Sequence, residues 1–368
     1  MTNRSYLVWI AAGVLVCALA AALAGEQFYR SALFAFFIWL NVSLGALAQL
    51  MLHHLTGGRW GFAIRRLLEA ALVPLPLLAL LFAILFAGLP ALRHGSGYFA
   101  PDWMIARAVV YFAIWLGMAW KLRSWSLEQD RRFGIGDIAP ARKLRRISGP
   151  GLCVYFVTMG FAMIDWIMEL EPGWRSTMFP VIIIANQTLL ALSGATIAAV
   201  VLTSRGARRI QELATTQAWH DLGKLLFAFV IFWTYVSFSQ LLIIWSGNLP
   251  HESVWYMHRS RGGWEWLAWG LGVICFVAPA AVLLFQAPKK NPRSLAKASA
   301  LIWASQVVYL FWVIAPAFFP AFHLHLLDIV IPLAVGSIWA AGFWYGFSTA
   351  EPVPLNDPRL AELGVEPA

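Results

Sequence analysis

Asp165 and Glu169 stand four residues apart in the run Met163-Ile164-Asp165-Trp166-Ile167-Met168-Glu169-Leu170. On a helix that spacing puts both carboxyls on one face. Two like charges in apolar surroundings raise the pKa of one of them, which suits a group that takes up and releases a proton. Counted from Gly151, Asp165 lies about 20 Å along such a helix. The alternative is that the pair meets Arg107 or Arg175 at a membrane boundary. Glu171, two residues further on, should sit in water. A second set lies in residues 220–245. At about 100° per residue, His220, Asp221, Lys224, Thr234, Tyr235 and Ser239 fall within about 140° of one another. A charged and hydroxylated stripe on a spanning helix is costly in lipid, so it should face protein or water. Against this, His220, Asp221 and Lys224 can rest at the headgroup boundary, and hydroxyls often bond only their own i−4 carbonyls. Asp328 lies one turn into another apolar run, just after His323 and His325. Asp165, Glu169, His220, Asp221, Lys224, Tyr235 and Asp328 are therefore the candidates for a proton path.

Other polar residues admit simpler roles. Asn41, Gln49, Asn186 and Gln187 stand deep in apolar runs, where amides commonly hold helices together. His53 and His54 close one run and His220 opens another. Histidines on different helices can ligate a b-type haem, but no second pair exists for a relay across a membrane. Glu69 should pair with Arg65 or Arg66. The three cysteines, Cys17, Cys153 and Cys275, form no C-x-x-C or C-x-x-C-H motif. The chain therefore offers no thiolate iron–sulfur site, c-type haem or disulfide framework. No phosphate-binding loop, dinucleotide fingerprint, H-E-x-x-H or nucleophile elbow is present. No protein-held metal is expected.

The elements that must position these groups are membrane helices. The 368 residues are 60% hydrophobic and 12% charged, with mean hydropathy +0.69. Twenty Trp and 25 Phe suit interfacial aromatic belts. Ten apolar segments can be drawn: 5–25, 32–54, 68–89, 103–122, 150–170, 177–203, 220–246, 264–286, 298–316 and 324–347. Each approaches the ~20 residues of a bilayer crossing. The first resembles a secretory signal but exceeds the usual apolar length, so it is read as an uncleaved helix.

Ten spans put both termini on one side. The other side then holds Arg30, Arg93, Arg107, Arg175, Arg259 and Arg261, and the remaining 21 of the 27 Lys and Arg lie with the termini. The positive-inside rule makes that side cytoplasmic. The charge of +9 thus describes topology rather than nucleic-acid binding. Arg65-Arg66 and Arg208-Arg209 precede segments 3 and 7, each after a segment ending in Leu-Thr. This weak echo suggests two four-helix bundles, segments 2–5 and 6–9, with segments 1 and 10 outside. The expectation is an all-α integral membrane protein, with residues 1–350 polytopic and 351–368 a flexible cytoplasmic tail.

Three stretches carry a resemblance. They are Leu52-His53-His54-Leu55-Thr56-Gly57-Gly58-Arg59-Trp60, with Arg65-Arg66 following; residues 165–177, D-W-I-M-E-L-E-P-G-W-R-S-T; and His220-Asp221-Leu222-Gly223-Lys224-Leu225-Leu226-Phe227. With Phe238-Ser239-Gln240 and Trp255-Tyr256, they resemble the ActF subunits of bacterial alternative complex III, within the polysulfide-reductase-like (NrfD-like) membrane anchors. The resemblance covers most of the chain. It implies a bacterial inner-membrane subunit of a quinol:electron-acceptor (cytochrome c) oxidoreductase. Haems c and iron–sulfur clusters would lie in partner subunits, beside a sister NrfD-like anchor. It also implies proton half-channels, and it raises a quinone pocket (menaquinone or ubiquinone) at Asp165 and Trp166. Glu169 departs from the small Ser of that family's D-W-I-M-S-L run. The rival reading is a secondary transporter, against which Pro74 and Pro76 break only segment 3 and segment 7 holds no Pro.

Overall fold

The computed structural model describes residues 3–92, 96–132, 138–354 and 356–363. Arg93 and the last five residues lie outside them. Helices dominate, and no strand occurs among the described residues. In lipid each backbone polar group needs an internal partner, which a helix provides within its own segment. The chain forms α1 (Asn3–Ala24), α2 (Glu26–Thr56), α3 (Arg59–Ala70), α4 (Leu75–Gly88), α5 (Pro101–Arg132), α6 (Ala139–Trp166), α7 (Phe179–Ser204) and α8 (Arg208–Leu213). It continues through α9 (Thr216–Gly247), α10 (Pro250–Arg259), α11 (Trp264–Leu271), α12 (Ala278–Leu283), α13 (Gln286–Lys290), α14 (Pro292–Ile314) and α15 (Leu327–Ser348). Among the described residues, nine spans are long and apolar enough to cross a membrane. The α3–α4 pair makes a tenth, bent by 50°. The protein is a multi-pass membrane protein.

The bend has a local cause. Pro74 and Pro76 lack amide hydrogens, so the ladder breaks between Ala70 and Leu75. A turn of π-helix, Gly272–Val277, joins α11 to α12 within one span.

The packing follows the two-bundle division. α2 packs on α4 and α6, α4 and α6 each pack on α5, and α7, α9, α12 and α14 pack together. The bundles meet where α2 crosses α7, the most extensive contact in the molecule. Gly45 permits that crossing: a Cβ there would stand 2.0 Å from the Gln187 carbonyl oxygen. α1 lies outside, along α15, with Ser337 Oγ donating to the Trp9 carbonyl (3.1 Å) and Tyr6 to Ser348 Oγ (3.3 Å). The start of α1 and the finish of α15 therefore share one end of the bundle, here called the basic end.

The segment expected to be a flexible tail is packed over its described part. Val353 and Leu360 are buried with Phe62, Ile210 and Leu213. Asp357 is 1% exposed and pairs with Arg65 (2.6 Å). Two apolar anchors and one acid hold the described residues of 351–360 as a strap across the basic end.

Gly45→Ala forces a methyl group into the α2–α7 backbone contact. Overpacking of this kind costs about 1–3 kcal/mol. The purified variant should melt several degrees below the parent in detergent. Gly117→Ala, where a Cβ meets nothing within 4 Å, should not.

Candidate functional site

At the end opposite the termini, α6 stops at Trp166 and a 3-10 turn follows, Met168–Leu170. Asp165 and Glu169 therefore do not share a helix face, contrary to their spacing. Each meets its own arginine. Asp165 is fully buried. Arg107 Nη2 donates to its Oδ1 (2.9 Å), and Arg107 Nε (2.8 Å) and the Tyr111 hydroxyl (2.9 Å) donate to Oδ2. Arg107 in turn lies 3.8 Å over the Tyr98 ring. Glu169 pairs with Arg175 (2.6 Å). Glu171, expected in water, is 9% exposed and held by Arg259 (2.5 Å) and His258 (3.2 Å). It borders a cavity of about 660 Å³ shared with Trp174, His251 and Phe319. Asp328 joins α15 to α2, accepting from Ser31 (2.5 Å), Gln27 (3.3 Å) and the His325 amide (2.9 Å).

Below Asp165 a buried polar ladder descends the contact between α5 and α6. Trp115 Nε1 donates to Thr158 Oγ1 (3.0 Å). The Tyr155 hydroxyl donates to Gln187 Oε1. Gln187 Nε2 donates to Asn41 Oδ1 (2.8 Å), Asn41 Nδ2 to Asn186 Oδ1 (3.1 Å), and Asn186 Nδ2 to Gln306 Oε1 (2.8 Å). The amides thus link α2, α7 and α14 as expected of helix-joining groups, and Tyr155 brings in α6. Tyr155 and Gln306 were missed because each stands alone in its apolar run. Their positions, opposite Asn41 and Asn186, appear only when the helices are packed.

Trp166 is fully buried among Phe36, Phe82, Tyr111, Phe112 and Trp115. Its indole N–H has no partner, but neither it nor Asp165 presents a free group to an opening. The pair does not fit a quinone pocket.

The basic end holds a second cluster. Glu69 is fully buried and accepts from Arg65 (3.0 Å), Arg66 and Ser126 (2.6 Å). Arg66 also meets Asp130, and Arg65 reaches Asp357. Beside them His53 and His54 are buried with all four ring nitrogens unpartnered, and Gln49 Oε1 one turn deeper is also free. His53 packs against Trp60, Phe62 and Gly61. No ring contact or hydrogen bond joins His53 or His54 to His220. Among the described residues no group of three or more His, Cys, Asp or Glu could hold a metal.

The stripe of α9 is placed differently from expectation. The helix buries Trp219, Leu222, Leu226, Val230, Trp233 and Gln240. Lys224 and Tyr235 point outward, Tyr235 being 67% exposed. Thr234 bonds its own i−4 carbonyl, Val230 (2.8 Å). Asp221 meets Gln217 (2.9 Å) and Lys224 (3.7 Å). His220 is buried, but no hydrogen bond carries it into the ladder. Of the seven path candidates, only Asp165 lies on the ladder. No family model matches the chain, and no curated protein matches it in sequence.

Asp357 makes the strap sensitive to acid. Burial raises its pKa, but hydrogen bonding to Arg359 and the charges of Arg65 and Arg359 outweigh that, and the net shift is downward. A depressed carboxylate contributes stability that is complete above its unfolded value and lost as pH falls through the folded one. The strap should therefore hold throughout the neutral range and loosen only in strong acid. Asp357→Asn leaves Arg65 short of one partner, a loss of about 3–5 kcal/mol for a buried pair. Proteolysis at pH 7 should then cut after residue 350 in the variant and spare the parent.

Proposed function

We propose that this chain is a proton-conducting membrane anchor of a quinol:electron-acceptor oxidoreductase in a bacterial inner membrane, with both termini cytoplasmic. The resemblance to ActF-type anchors supports the class. The partners would be haem c subunits, an iron–sulfur subunit, a sister NrfD-like anchor and the lipid bilayer. These would carry the electrons, and the quinone would bind elsewhere than at Asp165 and Trp166.

The observation that carries the proton role is the run of buried polar side chains between Asp165 and Gln306, in three hydrogen-bonded groups: Asp165 with Tyr111, Trp115 with Thr158, and Tyr155 through Gln187, Asn41 and Asn186 to Gln306. Polar side chains inside a membrane are costly and mark ion pathways or helix contacts. Here two of the donors are hydroxyls, Tyr111 and Tyr155, which can pass a proton by donating one and accepting another. The second half is the cluster of Glu69, His53 and His54, entered from the basic end. On α2, Asn41 and Gln49 are eight residues apart, about 12 Å of helix. That interval, apolar except for Ser43, which accepts from Trp339, would separate two half-channels. The cytoplasmic half thus runs along α2, α3 and α5 rather than α9.

Asp165 is the proton group of the opposite half. Arg107 donates to both of its oxygens, so Arg107 must withdraw before a proton can reach them. The transporter reading has its broken helices at the 50° bend and the π turn. The π turn presents no charged or amide side chain, and Glu69 at the bend is already taken up by Arg65, Arg66 and Ser126, which counts against it.

Tyr155→Phe removes one oxygen and leaves the ring in place. In the assembled complex in sealed vesicles it should lower the protons released per electron while electron flux with a permeant uncoupler stays near the parent's. Asp165→Asn should do the same and retain assembly. Parental proton yields in both variants would reduce the ladder to helix-joining contacts and end the proton role.

A further inference from the structure

α13 lies between the last two spans of the second bundle, against the start of α9. Its Lys289 is 7% exposed. Gly223 admits it: a Cβ at that position would stand 2.6 Å from Lys289 Cγ. The lysine stem therefore runs along the bare helix, and the ammonium ends 5.6 Å from the centre of the Phe227 ring. Among the described residues no carboxylate, hydroxyl or carbonyl accepts a hydrogen bond from it. The buried part is the stem; the ammonium itself keeps an opening to the outside, as lysine commonly does at an apolar surface.

Its neighbours have the same sign. Lys224 stands one residue beyond Gly223, exposed, and His220 and Lys290 complete the group. Burial first, and then the charge of Lys224, lower the Lys289 pKa. Asp221 is turned to Gln217 and Lys224. Arg293 and Lys297 add charge at the start of α14. Asp221 offsets part of this charge at Lys224, and the remaining cations repel one another unless a further anion sits among them.

The surroundings say what kind of anion. Lys224 heads the outward face of α9, which continues through Ile231 and Phe232, both exposed. Leu284 and Phe285, just before α13, are 63% and 64% exposed. An anion held by Lys224 and Lys289 thus stands at the head of an apolar, lipid-facing wall. Basic pockets between helices at this depth suit anionic lipid headgroups.

We propose that Lys289, Lys224 and Lys290 bind the phosphate of an anionic phospholipid, whose acyl chains lie along Phe232, Leu284 and Phe285. Gly223 makes the site by letting the Lys289 stem reach between α13 and α9. The lipid cements α13 to the second bundle and needs no contact with the polar ladder.

The test uses the full-length chain in detergent, with the unfolding midpoint followed against added lipid. Phosphatidylglycerol should raise the midpoint saturably. Phosphatidylcholine with the same acyl chains, and inorganic phosphate, should not. Lys289→Gln and Lys224→Gln should each weaken the phosphatidylglycerol effect roughly fivefold, and Lys289→Arg should retain it. Lys224 is exposed, so its variant tests the site even where Lys289→Gln does not fold. Equal stabilisation by the two lipids, or unchanged affinity in Lys224→Gln, overturns the proposal. An equal effect from inorganic phosphate assigns the site to a free anion and overturns the lipid.

Discussion

The crossing of α2 and α7 is the constraint on which the rest of this structure depends. Lipid tails are as apolar as leucine, so membrane helices associate by close packing and interhelical hydrogen bonds rather than by burial from water. At this crossing both occur together. Gly45 brings the α2 backbone onto the Gln187 carbonyl, and Asn41 bonds Asn186 and Gln187 half a dozen residues or less away. The amides can reach one another only because the glycine lets the backbones approach. α6 and α14 are then fixed through Tyr155 and Gln306, which bond the same two amides of α7.

Every buried carboxylate described here is already engaged. Asp165, Glu69 and Asp357 have arginines, and Asp328 has a hydroxyl, an amide and a backbone N–H. That is what low dielectric requires, because an isolated charge there would shift its pKa and neutralise. It also sets the condition for any proton step. A carboxylate clamped at both oxygens is a poor acceptor, so an arginine must move before the acid can load. Arg107 is placed to do so. It is partly exposed, and its contacts beyond Asp165 are the carbonyl and ring face of Tyr98 in a short loop turn. Arg65 is fully enclosed by Glu69, Asp357, Ser126 and Gln129 and has no such freedom.

The membrane architecture was legible in the sequence because a bilayer crossing is a one-dimensional signal of length and hydropathy. All ten segments correspond to spans, counting α3–α4 as one. Arg107 was among the named alternatives for Asp165, and the amides were read as helix-joining groups. What failed were statements about which way a face points. The stripe of α9 is real as a pattern, yet periodicity cannot distinguish a protein-facing from a lipid-facing surface when both are apolar. The signal that could have oriented α9 was the pair of small residues, Ala218 and Gly223, on the face that packs. Asp165 and Glu169 were misjudged because the helix ends between them, and Gly173 with Pro172 marks that end only loosely. The strap was missed because Asp357 meets Arg65 across 292 positions. Its clue was an unbalanced pair, Arg65 and Arg66 sharing one nearby Glu69.

These placements make α2 the element whose buried polar side chains reach from one end of the bundle to the other. It carries Ser31 against Asp328 near one end, Asn41 at the crossing, then Gln49 and the two histidines at the other. Gln49, His53 and His54 are places on it where polar atoms lack partners, as is Arg30 Nε near the other end. Such atoms cost about 1–3 kcal/mol each when left unpaired. A helix used only as a strut would have exchanged them for leucine at a gain in stability. Beside a cluster in which Glu69 is already satisfied three ways, Gln49 and the two histidines are the polar groups at the basic end of α2 still able to take a partner.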